Sequence, residues 1–178
     1  MQTIRPVQME DASEATRRIY ETVNAAQGGL SNMVKTMGHS PSVLEGYVQF
    51  NGALNGGKLT AKLREQVALT VAQADRCEYS LAQHAERAGR LGLTQDEIAS
   101  SREARAVDTK TDVALKFARD LATRSEYSTL ELRQAGFDDG EIMELIAQVG
   151  LNWFENYVTK VARTDLDFPV AGVRGKAA

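Results

Sequence analysis

Apolar residues recur at helical spacing along almost the whole chain, and the alternating apolar and polar runs typical of strands are absent. The three prolines, Pro6, Pro41 and Pro169, all stand where a helix could begin or end. The pattern therefore predicts an all-α protein. The predicted helices cover 11–26, a short piece at 31–37, 41–54, 61–74, a segment that begins after Asp75, a capping-box segment that begins after Thr94, 108–124, and a last helix from 138 or 139 to about 162.

Several predicted helix starts carry N-capping signals. Ser40 precedes a first-turn proline, and Thr60 precedes the helix that follows it. Asp75, with Glu78 three positions later, has the form of a capping box, which would place Cys77 in the first helical turn. The unpaired N–H groups and the dipole at a helix start favour a thiolate over a neutral thiol.

Two predicted helices carry more apolar surface than a single small helical layer covers. The helix at 61–74 is strongly apolar, which predicts burial on more than one side. Trp153, Phe154 and Tyr157 on the last helix are expected in the core or at a subunit interface rather than in a binding box. We therefore expect a homo-oligomer. His39, just before a helix start, is expected in an exposed loop.

Composition narrows the possible functions. The 178 residues predict one domain, 1–178, and the net charge of -3 argues against nucleic acid or an anionic membrane as the main partner. No run approaches the ~20 apolar residues of a membrane span, and the N-terminus lacks the apolar core of a signal peptide, so a cytoplasmic location is expected. One cysteine excludes an intramolecular disulfide, and two histidines are too few for a convincing zinc site. No metal or cofactor is expected, and 172–178 should fray.

The candidate chemistry lies between Glu65 and His84. Cys77, Ser80 and His84 are spaced i, i+3 and i+7, so a helix aligns a thiol, a hydroxyl and an imidazole on one stripe, with the Glu65 carboxylate just upstream. Such groups could form a proton relay that feeds a nucleophile. The alternative is structural: a lone cysteine often fills a small apolar space, and a helical histidine is often only a satisfied polar contact.

The segment from Glu65 to His84 resembles the signature of the AhpD-like alkylhydroperoxidases in the carboxymuconolactone decarboxylase superfamily. That signature is a glutamate, eleven residues, Cys-x-x-Cys, three residues and a histidine. Glu65, Cys77 and His84 match it, and Ser80 stands in place of the second cysteine. The similarity extends through 89–93, Asn152-Trp153-Phe154-Glu155-Asn156-Tyr157 and Asp165-Leu166-Asp167-Phe168-Pro169, and so covers most of the chain.

The resemblance implies an AhpD-like helical bundle that assembles as a trimer or hexamer. It also implies a peroxidase in which the second cysteine attacks the peroxide, the first resolves it as a disulfide, and the glutamate and histidine shuttle protons. By position, Glu65 and His84 would be the relay and Cys77 the resolving thiol. Ser80 cannot form a sulfenic acid, so the two-cysteine cycle is unavailable.

Three explanations of Ser80 remain open. In the first, Cys77 acts as a single reactive thiol, and an external thiol reduces its oxidised form. In the second, the serine is an engineered replacement. In the third, the site no longer performs redox chemistry. We expect an alkylhydroperoxidase-like antioxidant protein with impaired or single-thiol activity on a hydroperoxide. The alternatives are a non-catalytic oligomeric binding protein and a decarboxylase-type lyase, for which Arg64 and Arg76 could supply charge. Convergence of Glu65, His84 and Cys77 on an accessible pocket would favour chemistry, and a sealed apolar site around Cys77 would favour structure.

Overall fold

The computed structural model describes residues 2–123 and 127–169, and within them every regular element is an α-helix. The predicted all-α class is therefore confirmed. Position 124 of the predicted helix 108–124 and the predicted frayed end 172–178 lie outside the described residues. The helices of the described part are α1 Glu14–Gln27, α2 Asn32–Met37, α3 Pro41–Asn55, α4 Ala61–Ala74, α5 Glu78–Arg90, α6 Gln95–Arg102, α7 Thr109–Thr123, α8 Leu130–Gln134 and α9 Asp139–Ala162.

Most helix starts follow the capping signals of the sequence. The side chains of Ser40, Thr60 and Thr94 each accept a hydrogen bond from the backbone N–H three residues later. Asp138 caps α9 in the same way and forms a full capping box with Glu141. The predicted start of α1 is corrected, because its cap is Ser13 and the helix begins at Glu14.

The predicted capping box at Asp75 is wrong. Asp75 is the C-cap residue of α4. Arg76 follows it in a left-handed conformation with φ 53°, so the chain turns before α5 begins. Cys77 is the N-cap residue of α5, and its N–H donates to the Ala72 carbonyl at 2.9 Å. The Asp75 carboxylate instead accepts from Lys160 Nζ at 2.8 Å, which ties this turn to α9. The turn therefore depends on a partner 85 residues away, which local spacing cannot reveal.

Helix α4 lies at the centre of the molecule and contacts α5, α6, α7 and α9. Its residues from Val67 to Ala72 are all buried, as the apolar run predicted. One apolar cluster joins α4 to α7 and α9, and a second joins α1, α2 and α3 to Cys77 and the neighbouring face of α9. Because α4, α5 and α9 meet side by side, their polar side chains can face one another inside the fold.

The solvent side of α9 carries an apolar face. Phe154 and Tyr157 are partly exposed, Val161 is 67 % exposed, and Trp153 packs against the core. Phe154, Tyr157 and Val161 line a shallow apolar groove together with Ile4 and Val43. No helix among the described residues is long and apolar enough to span a bilayer.

Candidate active site

A buried histidine between two carboxylates forms the centre of the site. His84 on α5 is hydrogen-bonded through Nδ1 to Glu65 Oε2 on α4 at 2.7 Å. Its Nε2 lies 3.2 Å from Glu155 Oε2 on α9. His84 is only 3 % exposed and Glu155 only 2 %. Helices α4, α5 and α9 thus place two carboxylates within hydrogen-bond distance of one imidazole.

This arrangement makes His84 a cation at neutral pH. Burial alone would lower its pKa, but the charges and hydrogen bonds of Glu65 and Glu155 prevail and raise the pKa of His84 to about 9. Burial by itself would raise the pKa of Glu155, and its contacts with His84 reverse that effect and lower it. Both ring nitrogens of an imidazolium are donors, which matches a carboxylate on each side. A protonated His84 has a proton on each ring nitrogen that it could donate.

Two further side chains extend the network. The Tyr47 hydroxyl on α3 donates to Glu155 Oε1 at 2.7 Å, so this carboxylate bridges a phenol and an imidazolium. Burial, followed by the charge of Glu155, raises the pKa of Tyr47 well above its usual value, so the phenol stays neutral. Arg87 lies one turn beyond His84. Burial alone would lower the pKa of Arg87, and the carboxylates of Glu65 and Glu155 raise it, so it remains charged.

The thiol lies at the other end of the α5 stripe. Cys77 is 1 % exposed, and its Sγ lies 3.2 Å from Ser80 Oγ and 3.3 Å from Thr159 Oγ1 on α9. Thr159 Oγ1 is also within hydrogen-bond distance of the Glu155 and Asn156 carbonyls, so its proton has a backbone acceptor and its lone pair can receive the thiol proton. Among the described residues Cys77 is the only hydrogen-bond partner of the Ser80 hydroxyl, which is free to donate to the sulfur.

The four residues singled out from the sequence form two pairs. The structure brings Glu65 to His84 and Cys77 to Ser80, and all four belong to the region where α4, α5 and α9 meet. No hydrogen bond within 2–123 and 127–169 joins Cys77 directly to His84 or Glu65. The expected convergence of Glu65, His84 and Cys77 on one accessible pocket is therefore not observed, because the sulfur is enclosed and its nearest polar neighbours are hydroxyls.

A pocket of about 450 Å³ opens beside the histidine. Cys77 and Ser80 do not line it. Its wall is mainly polar, and three arginines stand there with the acid–base groups. The charged and polar residues of this wall include Arg64, Glu65, His84, Arg87, Arg90, Gln148, Asn152 and Glu155. No cluster of three or more potential metal ligands occurs in the part of the chain that the structure describes.

Sequence reasoning missed the contribution of α9. Glu155 lies 71 residues from His84, and Thr159 lies 82 residues from Cys77, so neither pairing has a local signature. A signal was nevertheless present. Five polar residues recur at helical spacing along the apolar part of α9, and all five are buried: Gln148, Asn152, Glu155, Asn156 and Thr159.

Comparisons with known proteins show what the chain is similar to. Residues 41–124 match the carboxymuconolactone decarboxylase family. Among solved structures, an uncharacterized peroxidase-related protein from Silicibacter sp. TM1040 is similar, with a TM-score of 0.80 and 20% identity, and the match covers 93% of this chain and 92% of that chain. An AhpD-core peroxidase-related protein from Ralstonia eutropha JMP134 has a TM-score of 0.78 and 18% identity, with 94% of each chain covered.

A third similar structure is the debrominase Bmp8, in a C82A variant bound to 2,3,4-tribromopyrrole, with a TM-score of 0.80, 17% identity, and 94% of this chain and 92% of that chain covered. No curated protein matches the chain in sequence. These structures show the fold, which is that of the AhpD-like helical proteins. The family match covers residues 41–124, and the structural similarity extends beyond it to most of the chain.

Proposed function

We propose that the protein is an AhpD-like oxidoreductase that reduces hydroperoxides with Cys77 as its single redox sulfur and His84 as its proton donor. The observation that carries this proposal is the stripe on α5. A thiol at the helix N-cap, hydrogen-bonded to Ser80, stands two turns from an imidazolium that is flanked by Glu65 and Glu155.

Two features of the structure lie beside the Cys77 sulfur. The N-cap position puts the sulfur at the positive end of the α5 dipole. A hydroxyl that donates to a thiolate stabilises the charged form, and Ser80 has no competing acceptor among the described residues. Ser80 thus becomes an auxiliary to the thiol, in the position where the family signature has a second cysteine.

The proposed reaction has two balanced steps. The Cys77 thiolate attacks the terminal oxygen of ROOH, the O–O bond breaks, and the alkoxide leaves as ROH after it takes a proton from the His84 network; Cys77 becomes a sulfenic acid. Two external thiols then reduce the sulfenic acid to the thiol, with formation of their disulfide and water. His84 regains its proton from solvent, which takes up the proton that the Cys77 thiol loses before the next turnover.

The test is chemical trapping of Cys77. Hydrogen peroxide, followed by its removal and unfolding of the chain in dimedone, should yield one sulfenic-acid adduct on Cys77, and Cys77→Ala should abolish it. His84→Gln, which keeps a hydrogen-bonding side chain but cannot supply an acidic proton, should slow the oxidation by about tenfold or more. A thiol that stays reduced under excess hydroperoxide would exclude this function, and it would leave the non-catalytic binding protein as the simpler alternative.

A second candidate is cysteine-independent acid–base chemistry of the lyase type. It is favoured by one observation: Glu65, His84, Glu155 and three arginines line the pocket, whereas Cys77 does not. A carboxylated substrate would suit the arginines. Cys77→Ala separates the two candidates, since it leaves turnover intact only if the sulfur has no part. A screen of carboxylated lactones tests this candidate, and 2,3,4-tribromopyrrole belongs in the same panel because a debrominase of this fold binds it.

We also propose a homo-oligomer, a trimer or hexamer, assembled through the apolar face of α9. The support is the exposure of Phe154, Tyr157 and Val161 on one helix face beside an apolar groove. Light scattering at several concentrations would give the subunit number, and a concentration-independent monomer would exclude the proposal.

A further inference from the structure

The buried thiol and the open pocket are joined by polar side chains along the contact between α5 and α9. We call this set the polar seam. It is fixed at two places, since Cys77 contacts Thr159 and His84 contacts Glu155. Residue numbers rise along α5 as they fall along α9, so the two helices run antiparallel here. The polar seam consists of Cys77, Ser80 and His84 on α5 and Asn152, Glu155, Asn156 and Thr159 on α9.

The α9 half of the polar seam follows one helix face. Asn152, Asn156 and Thr159 are spaced i, i+4 and i+7, so they lie in line. At about 1.5 Å per residue, this line is roughly 10 Å long. Asn152 is at the pocket wall, and Thr159 is in contact with the sulfur. The line therefore runs from the pocket to Cys77.

Two amides on this line lack protein partners. Asn152 is 2 % exposed and Asn156 is fully buried, and neither side chain has a hydrogen-bond partner for its oxygen or its nitrogen among residues 2–123 and 127–169. Buried amides are almost always hydrogen-bonded, so such groups call for small polar molecules beside them. A chain of about three waters spans roughly 10 Å, and buried waters occupy sites with two to four polar neighbours.

We propose that the polar seam is a water-lined passage that connects the pocket to Cys77 and that admits hydrogen peroxide but not bulky organic hydroperoxides. Hydrogen peroxide carries two O–H donors and two acceptor oxygens, so it can replace two waters beside the amides of Asn152 and Asn156. An aromatic or long-chain hydroperoxide keeps only one O–H donor, and its bulky apolar group must pass a sulfur environment that is 1 % exposed. The choice of substrate rests on the function proposed above; the passage itself does not.

The test compares reagents of two sizes on the intact protein. The rate of Cys77 oxidation is measured with hydrogen peroxide and with cumene hydroperoxide, each divided by the rate of free cysteine. Methyl methanethiosulfonate, a small thiol reagent, measures access without peroxide chemistry. The variants are Asn156→Leu, which keeps similar volume and removes the amide, and Asn24→Leu, the same change on an exposed face of α1. Asn152→Leu replaces Asn156→Leu if the latter fails to fold.

We expect normalised oxidation by hydrogen peroxide to exceed that by cumene hydroperoxide at least tenfold. Asn156→Leu should slow both hydrogen peroxide and methyl methanethiosulfonate at least tenfold, and Asn24→Leu should change neither. Equal normalised rates for the two peroxides would overturn the size limit, and unchanged rates in Asn156→Leu would overturn the passage. If no peroxide oxidises Cys77 while Asn156→Leu slows methyl methanethiosulfonate, the passage stands and the proposed peroxidase function fails.

Discussion

The charge state of His84 can be tested by removing one of its two carboxylates. In Glu155→Gln, the Nε2 side of the ring keeps an amide oxygen as acceptor but loses a negative charge 3.2 Å away. The pKa of His84 is raised from 6.5 to about 9 by two carboxylates that oppose the burial of the ring. Loss of one of them should lower that pKa by about one pH unit or more.

The same change alters the pH dependence of stability. A histidine whose folded pKa lies above its unfolded value stabilises the protein fully below about 6.5, and this contribution is lost as the pH rises through about 9. Each pH unit of difference is worth 1.36 kcal/mol, so His84 contributes about 3 kcal/mol to the free energy of unfolding at pH 6. Between pH 6 and pH 10, the free energy of unfolding of Glu155→Gln should therefore fall by about 1 kcal/mol or more less than that of the wild type.

Nuclear magnetic resonance can measure the pKa directly, because the chain has only two histidines. His39 is exposed and serves as an internal reference, assigned by His39→Gln. Denaturant unfolding of the wild type and the variant at pH 6 and pH 10 gives the stability difference, in which other titrating groups cancel. A wild-type His84 that titrates near 6.5, or a pKa unchanged in Glu155→Gln, would refute the assignment of His84 as an imidazolium donor.

Three further predictions concern the thiol and the surface. Ser80→Cys should create or greatly raise thiol-dependent peroxide turnover in a coupled assay, since it restores the cysteine pair of the family signature. No gain in a folded variant would show that the site differs from the peroxidase signature by more than this one residue. Ser80→Ala should slow Cys77 oxidation about fivefold, the equivalent of one hydrogen bond of about 1 kcal/mol, whereas an unchanged rate would mean that the hydroxyl does not stabilise the thiolate. Val161→Glu should shift the light-scattering mass toward smaller species, and an unaltered mass would remove α9 from the interface.

Much of the fold follows from local sequence signals. The caps at Ser40, Thr60 and Thr94 and the apolar run of α4 are confirmed, because each depends on residues within a few positions of one another. The five-residue helix α8 escaped prediction because only Leu132 in it is buried, which leaves no periodic pattern to detect. The cap predicted at Asp75 is wrong although its local pattern is strong.

At Asp75 a long-range contact overrides a good local pattern. The carboxylate that would cap α5 binds Lys160 instead, and a left-handed Arg76 moves the helix start by two residues. In the candidate site, too, local sequence patterns do not reveal contacts between distant parts of the chain. The pair of Glu65 and His84 follows from their positions on consecutive helices, whereas the second carboxylate, Glu155, arrives from a helix far along the chain. Only the packing of α9 against α5 reveals it.

The central claim is that Cys77, although enclosed, is the sulfur that reacts with hydroperoxide. The most direct test treats the folded wild type with a small excess of hydrogen peroxide, removes the peroxide, unfolds the chain in dimedone and measures the intact mass. The account predicts a single adduct, located at Cys77 by peptide mapping and prevented by prior reduction of the peroxide. An unmodified protein after prolonged exposure, with the same Cys77 readily labelled once the chain is unfolded, would contradict it.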